Sequence, residues 1–252
     1  MGCSRFLSTA IFLAIFILTV SASWADEAAK AGSGRKMQVL VLVGGHGFPE
    51  KPFHEIFDSF SDMKCTFVEE KVGGEAFDNI ENWHYDAIVL YNHNKNPPEK
   101  QRENFLKLLD RGIGLVVLHH GLHAYRDWPE FQKMAGITSF VSEAKDDVHY
   151  TIHIEDPQHP IVKGLQDFAV NDETYHGHQI DPKVHVILTT NEPTNYRAIA
   201  WVHNYRKSPV CFLQLGHGTG VYGQKEFRLV LSNAIRWSAG RLPLPVKSGV
   251  SG

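Results

Sequence analysis

The chain has 252 residues, with 28 acidic against 25 basic side chains, a net charge of −3 and no cluster of lysine or arginine. That balance excludes the basic patch that nucleic acid or an anionic membrane surface requires. Three cysteines cannot build a disulfide framework, and fifteen histidines are the one compositional excess.

Arg5 precedes the apolar run "FLSTAIFLAIFILTVSA", and Ser23 and Ala25 in "SASWA" have the small-x-small spacing of a signal-peptidase site. The run is too short for a membrane span of about 20 residues. Residues 1–25 are therefore expected to be a signal peptide, with cleavage after Ala25 and no stable membrane anchor afterwards. Export to the periplasm or the extracellular space follows. Removing 25 of 252 residues leaves 227, and losing Arg5 takes the charge from −3 to −4. That is enough chain for one α/β domain. Cys65 and Cys211 survive cleavage and are expected as buried free thiols.

"DEAAKAGSGRK" (26–36) reads as a flexible leader. "MQVLVLVGG" from Met37 is a strand buried on both faces, followed by a helix with Phe53, Ile56, Phe57 and Phe60 on one side. "CTFVEEK", "YDAIVLYNHN" and "GLVVLHH" are strands, and "PPEKQRENFLKLLDRG" is a helix with prolines at its start and Gly112 past its end. This alternation predicts a doubly wound, mostly parallel α/β sheet with helices on both faces, spanning residues 37–240. "VHYTIHI", "HVILTTN", "AIAWVH" and "PVCFLQL" are further strands, whereas "FAVNDETYHGH" reads as a loop. "KEFRLVLSNAIRWSAG" closes the fold as a helix, and 241–252 is a loose tail.

Ligands of an open parallel sheet bind beyond the carboxyl ends of its strands. Four buried strands end in histidine: His46; Asn92 and His93; His119, His120 and His123; and Gln214 with His217. The "NDETYHGH" segment adds Asp172, Glu173, Tyr175, His176 and His178. Imidazoles with a carboxylate suit zinc or a similar divalent ion, and they also suit acid–base chemistry near neutral pH. His119 and His120 are adjacent, so alternation would send them to opposite sides. His54, His84, His149, His153, His159, His185 and His203 lack such company and are read as structural. The sequence has no HExxH and no Walker motif, and no nucleotide cofactor is expected.

"VLVLVGGHGF", "YDAIVLYNHN", "GLVVLHHGLHAY", "HPIVKGL", "DETYH" and "LGHG", in this order, resemble the ThuA-like family, associated with trehalose and other disaccharide utilisation. The resemblance implies the flavodoxin-like fold of the class I glutamine amidotransferase-like superfamily. It also implies a link to keto-glycoside catabolism and a bound divalent metal. In glutamine amidotransferases the strand-to-helix turn carries a cysteine, and a glutamate stands two residues after the last-strand histidine. Here the turn is "LHHGLH" and Thr219 stands where the glutamate would be, which excludes thiolate attack on an amide.

Two functions of different class remain. The first is an exported hydrolase or lyase acting on a carbohydrate, with His120, His217 and Glu173 catalytic and a metal held by His46, His120, Glu173 and His217. Asn92, His93, His119, His123, Tyr175 and Gln214 then contact the sugar, and an oligomer is compatible with either function. The second is a non-catalytic carbohydrate-binding protein that stacks the sugar on Tyr125, Trp128, Tyr175 and Tyr222. A paired-carboxylate glycosidase ranks below both, because no second acid stands out as a partner for Glu173.

Overall fold

A computed structural model describes residues 35–242, so the expected signal peptide, nearly all of the leader and most of the tail lie outside the described residues. The unit that begins at Met37 is organised by one nine-stranded sheet. Its first half comprises β1 (Met37–Val43), β2 (Met63–Glu69), β3 (Ala87–Leu90) and β4 (Gly114–Leu118). After two short strands, β5 (Ile137–Ser139) and β8 (Gln179–Ile180), which pair with each other, the remainder are β6 (Glu143–Ile154), β7 (Phe168–His176), β9 (His185–Thr189), β10 (Ala198–Tyr205) and β11 (Ser208–Leu213).

The spatial order is β2-β1-β3-β4-β11-β10-β9-β6-β7. The first five are mutually parallel, in the 2-1-3-4-5 order of flavodoxin-like sheets, and the last four extend the sheet by antiparallel pairing. The fold is therefore α/β and doubly wound, with an antiparallel wing. That wing enters between β4 and β11, which pair directly although the chain leaves one at Leu118 and enters the other at Ser208.

The apolar runs have no polar alternation because both sheet faces are covered. On β1, Val39, Val41 and Val43 pack toward helices α1 (Glu50–Asp58) and α5 (Lys225–Ser238), through Phe53, Phe57, Phe227 and Val230. Leu40 and Leu42 point the other way, into a second core with Phe105 and Leu108 of α2 (Glu99–Asp110) and Phe131 and Met134 of α3 (Pro129–Ala135). A short helix α4 (Thr219–Tyr222) follows β11. Among the described residues no helix is long and apolar enough to cross a membrane. Cys65 and Cys211 are free, and burial pushes the Cys65 thiol up to about 12.

One expectation fails here. "FAVNDETYH" is β7, the outermost strand, and not a loop. Its alternate residues Phe168, Val170, Asp172 and Thr174 are buried, and an aspartate in that inward series disguises the period.

Candidate functional site

Where β4 ends, the backbone does not continue as a strand. His119 takes a left-handed conformation (φ +46°), and His119–His123 wind into a 3-10 turn. Left-handed backbone costs a non-glycine residue about 1–2 kcal/mol, and it breaks the strand alternation. Adjacent His119 and His120 therefore point into the same place, with ring centroids 4.4 Å apart. Gly121 permits the turn, since a Cβ there would lie 2.1 Å from the Leu90 carbonyl oxygen of β3.

After β11 the chain turns through Gly216 and His217. Buried Asp172 accepts both backbone N–H groups, at 2.8 and 3.0 Å, and burial raises its pKa. The Tyr91 hydroxyl donates to the Gly216 carbonyl at 2.8 Å and lies 2.8 Å from the Tyr222 hydroxyl. The inward Asp172 thus fixes the His217 turn while its neighbour Glu173 enters the site. Sequence reading grouped the two acids and missed this division of labour.

His119 Nε2 lies 3.0 Å from Glu173 Oε2 and 3.2 Å from His217 Nδ1, and His217 Nδ1 lies 3.3 Å from Glu173 Oε2. His120 adds a fourth donor, and ligand atoms of all four residues fall within 4.8 Å of one another. The Tyr175 ring stacks on His119, with its hydroxyl 3.1 Å from Nε2. On the far side of each ring stands an acceptor: His119 Nδ1 donates to the Gln214 carbonyl at 2.5 Å, and His217 Nε2 faces Asp146 Oδ1 at 3.5 Å. The Gln214 carbonyl takes the His119 Nδ1 proton, while His217 Nδ1, facing the Glu173 carboxylate, carries the proton of the His217–Glu173 bond.

Burial works to raise the Glu173 pKa, but hydrogen bonds and positive charge from His119 and His217 prevail and hold it well below the carboxylate range. The bond to Glu173 raises His217 against its own burial. His120 is driven strongly down, by burial first and then by neighbouring His119, His46 and His217; it is 4 % exposed and neither ring nitrogen has a partner.

Other expected residues fall in outer positions. His46 is exposed and stacks on His120 with centroids 3.9 Å apart, but its ring is 6.3 Å from that of His217. The set of four close donors thus contains His119, while His46 covers His120. His93 lies 6.2 Å from the His120 ring, and His123 5.5 Å from that of His93. Burial lowers both, His123 to about 4. His176 is exposed, and buried His178 packs on Tyr196. Of the histidines read as structural, His153 and His185 pair with Asp167 and Asp156, and His203 donates to the Met134 carbonyl.

Two expected sugar contacts are corrected. Gln214 is fully buried, and its side chain bonds Asn195 and the Glu173 carbonyl; only its own carbonyl serves the site. Asn92, also fully buried, donates to Glu70. The stacking platforms fail as well: Tyr125 and Tyr222 are 1 % exposed, Tyr175 5 % and Trp128 8 %, so none offers a face to a sugar.

Glu70 itself is a finding that the sequence did not announce. It accepts from Gly74 N–H, Asn92 and the Tyr125 hydroxyl, and burial raises its pKa to about 7 from 4.5. The folded state keeps a proton that the unfolded chain releases, so stability falls as pH rises between those two values and levels off above them. The span corresponds to a loss on the order of 3 kcal/mol. Glu70→Gln is expected to gain on the wild type in thermal unfolding between pH 5 and 8; a difference independent of pH would refute the assignment.

A cavity of about 440 Å³ opens onto the cluster, lined by Gly47, Asp146, Asp147, Asn171, Glu173 and His217. A larger one, about 690 Å³, lies at the other end of the parallel strands, beside Pro209 at the start of β11, and among the described residues has no comparable convergence of donors.

Comparison with known proteins agrees with this picture. The ThuA family model, described as trehalose utilisation, matches residues 38–238. A ThuA-like protein from Parabacteroides merdae is 18 % identical, superposes with a TM-score of 0.71, and is covered over 84 % of this chain and 93 % of its own. A β-galactosidase from Bacillus circulans is 9 % identical with a TM-score of 0.55, over 82 % of this chain and 31 % of its own. A glutamine amidotransferase from Thermotoga maritima is 13 % identical with a TM-score of 0.51, over 81 % and 99 %. At these identities the structural likenesses show the fold alone. No curated protein matches the sequence.

Proposed function

Since the chain belongs to the ThuA family, we propose that it is an exported enzyme of carbohydrate catabolism, a hydrolase or lyase for a disaccharide or keto-glycoside, with a divalent metal held by His119, Glu173 and His217. The observation that carries this reading is the convergence of their three donor atoms, 3.0, 3.2 and 3.3 Å apart. Donors bound tetrahedrally to zinc at 2.0–2.1 Å are separated by roughly 3.3 Å. The fit is close, the far nitrogen of His119 already has the acceptor that a ligating imidazole requires, and that of His217 faces the Asp146 carboxylate.

When bound, the ion supplies Lewis acidity to a sugar oxygen or carbonyl. Glu173, held ionised, anchors and does not donate a proton. His120, neutral and unbonded, takes the proton from the carbon beside a keto group and returns it to the departing glycosidic oxygen. In that elimination the C–H and C–O bonds break, a C=C bond forms, and no outside oxidant or reductant is consumed. Stacked on His120 from the solvent side, His46 narrows the approach. Export rests on the pattern of residues 1–25.

The test is metal analysis of protein recovered from the exported fraction with Asp26 as its first residue, then turnover of native and 3-keto disaccharides before and after chelation. About one equivalent of a divalent ion and chelator-sensitive turnover are expected. Full turnover in chelated protein would remove the metal from this reading, and inactivity toward every sugar would remove the enzyme.

A further inference from the structure

Arg126 follows the turn that carries His119, His120 and His123. Its exposed guanidinium lies over the Phe140 ring, 5.2 Å from the centroid, a contact that restrains the group and leaves its N–H donors unused. Among the described residues Arg126 forms no hydrogen bond and no ion pair, not even with the neighbouring Asp127. Arg197, Arg206 and Arg236, by contrast, are each paired with a carboxylate.

From Phe140 a row of rings leads back to the donor cluster. Phe140 lies 5.6 Å from His123, His123 5.5 Å from His93, and His93 6.2 Å from His120, centroid to centroid. Tyr175, which stacks on His119, is nearly parallel to His123 at 6.5 Å. The rings of His93 and His123 bond no described residue, and Nε2 of His123 is buried without a partner. Buried polar groups are normally satisfied. Burial lowers the pKa of both imidazoles, and the Arg126 charge reaches each of them. Three neighbouring side chains thus hold donors that the protein does not use.

We propose that Arg126 anchors a carboxylate subsite flanked by His93 and His123, and that the substrate carries this carboxylate on the sugar unit remote from His120. The inference rests on the carbohydrate reading and names its substrate class, a glycoside of a uronic acid. The planar guanidinium takes both oxygens of a carboxylate, and imidazole N–H groups beside it bond hydroxyls of the same sugar. One guanidinium and two neutral imidazoles supply a single positive charge. That matches a carboxylate, whereas a phosphate ester brings about −1.5 to −2. The ammonium of Lys95, two residues from His93, is turned to the Lys71 carbonyl.

The experiment is calorimetric titration of the wild type, Arg126→Ala and Arg126→Lys with glucuronate, its uncharged methyl ester, glucose and glucose 6-phosphate, on protein as purified and after chelation. Glucuronate is expected to bind the wild type about 10-fold more tightly than the ester or glucose, with or without chelator. Arg126→Ala should bind glucuronate and its ester alike. Arg126→Lys should keep part of the preference, because a point charge replaces the fork. In turnover, the kcat/KM advantage of a uronate-bearing disaccharide over its neutral counterpart should fall in step, through KM. Arg126 is exposed, so both variants should melt as the wild type does.

No glucuronate binding, equal binding of glucuronate and its ester to the wild type, or a preference that survives in Arg126→Ala or vanishes on chelation overturns the proposal. Tighter binding of glucose 6-phosphate than of glucuronate overturns the carboxylate assignment. If the preference depends on Arg126 and no glycoside is turned over, the enzyme reading fails and the subsite stands.

Discussion

His120→Ala is expected to lower turnover by about 10²–10⁴-fold, the range for a positioned proton-transfer group, while metal content and folding stay as in the wild type. The ring is 4 % exposed, and neither nitrogen has a hydrogen-bond partner, so its removal strands no other polar group. Burial and three neighbouring imidazoles keep it neutral, the state in which the proposed reading uses it as a base. His119, Glu173 and His217 keep their mutual contacts in its absence. Steady-state kinetics with metal analysis check this; a variant that keeps wild-type turnover would move the proton transfer to another residue.

Gly121→Ala should damage stability and activity together. Its Cβ would be 2.1 Å from the Leu90 oxygen and 2.8 Å from the Leu90 carbonyl carbon, both backbone atoms of a central strand that cannot swing aside. Over-packing in a core costs about 1–3 kcal/mol where side chains can adjust, and a backbone clash belongs at the upper end. Relief requires the turn to lift, carrying His119 and His120 away from Glu173 and His217. Thermal unfolding and turnover should both fall; a variant with native melting behaviour and full activity would show that the turn does not set the site.

The parallel half of the fold was legible because β1, β3, β4 and β11 are apolar runs that end in glycine or histidine, and the rim rule then pointed to the right strand ends. His120 and His217 were found this way, and Glu173 came from the segment read as a loop over the same rim. The errors have physical causes. His119 was placed outside the close set because strand alternation was carried past Leu118, where a left-handed residue cancels it. β7 looked like a loop because its inward position 172 is an aspartate, buried for the sake of two backbone amides. Tyr125, Tyr222 and Trp128 looked like sugar platforms because sequence cannot separate a core aromatic from an exposed one.

The insertion of the antiparallel wing between β4 and β11 bears on when the site comes into being. His119 precedes the wing, Glu173 lies within it and His217 follows it, so no contiguous stretch of nascent chain contains two of the three donors close together. Pairing β4 with β11 closes the long loop from Leu118 to Ser208, and Glu173 arrives only when the outermost strand docks. Closures of such sequence separation belong late in folding. A partly folded chain therefore carries only scattered donors, and on the proposed metal reading affinity would arrive with the long-range contacts that bring them together, coupling capture of an ion to completion of the fold.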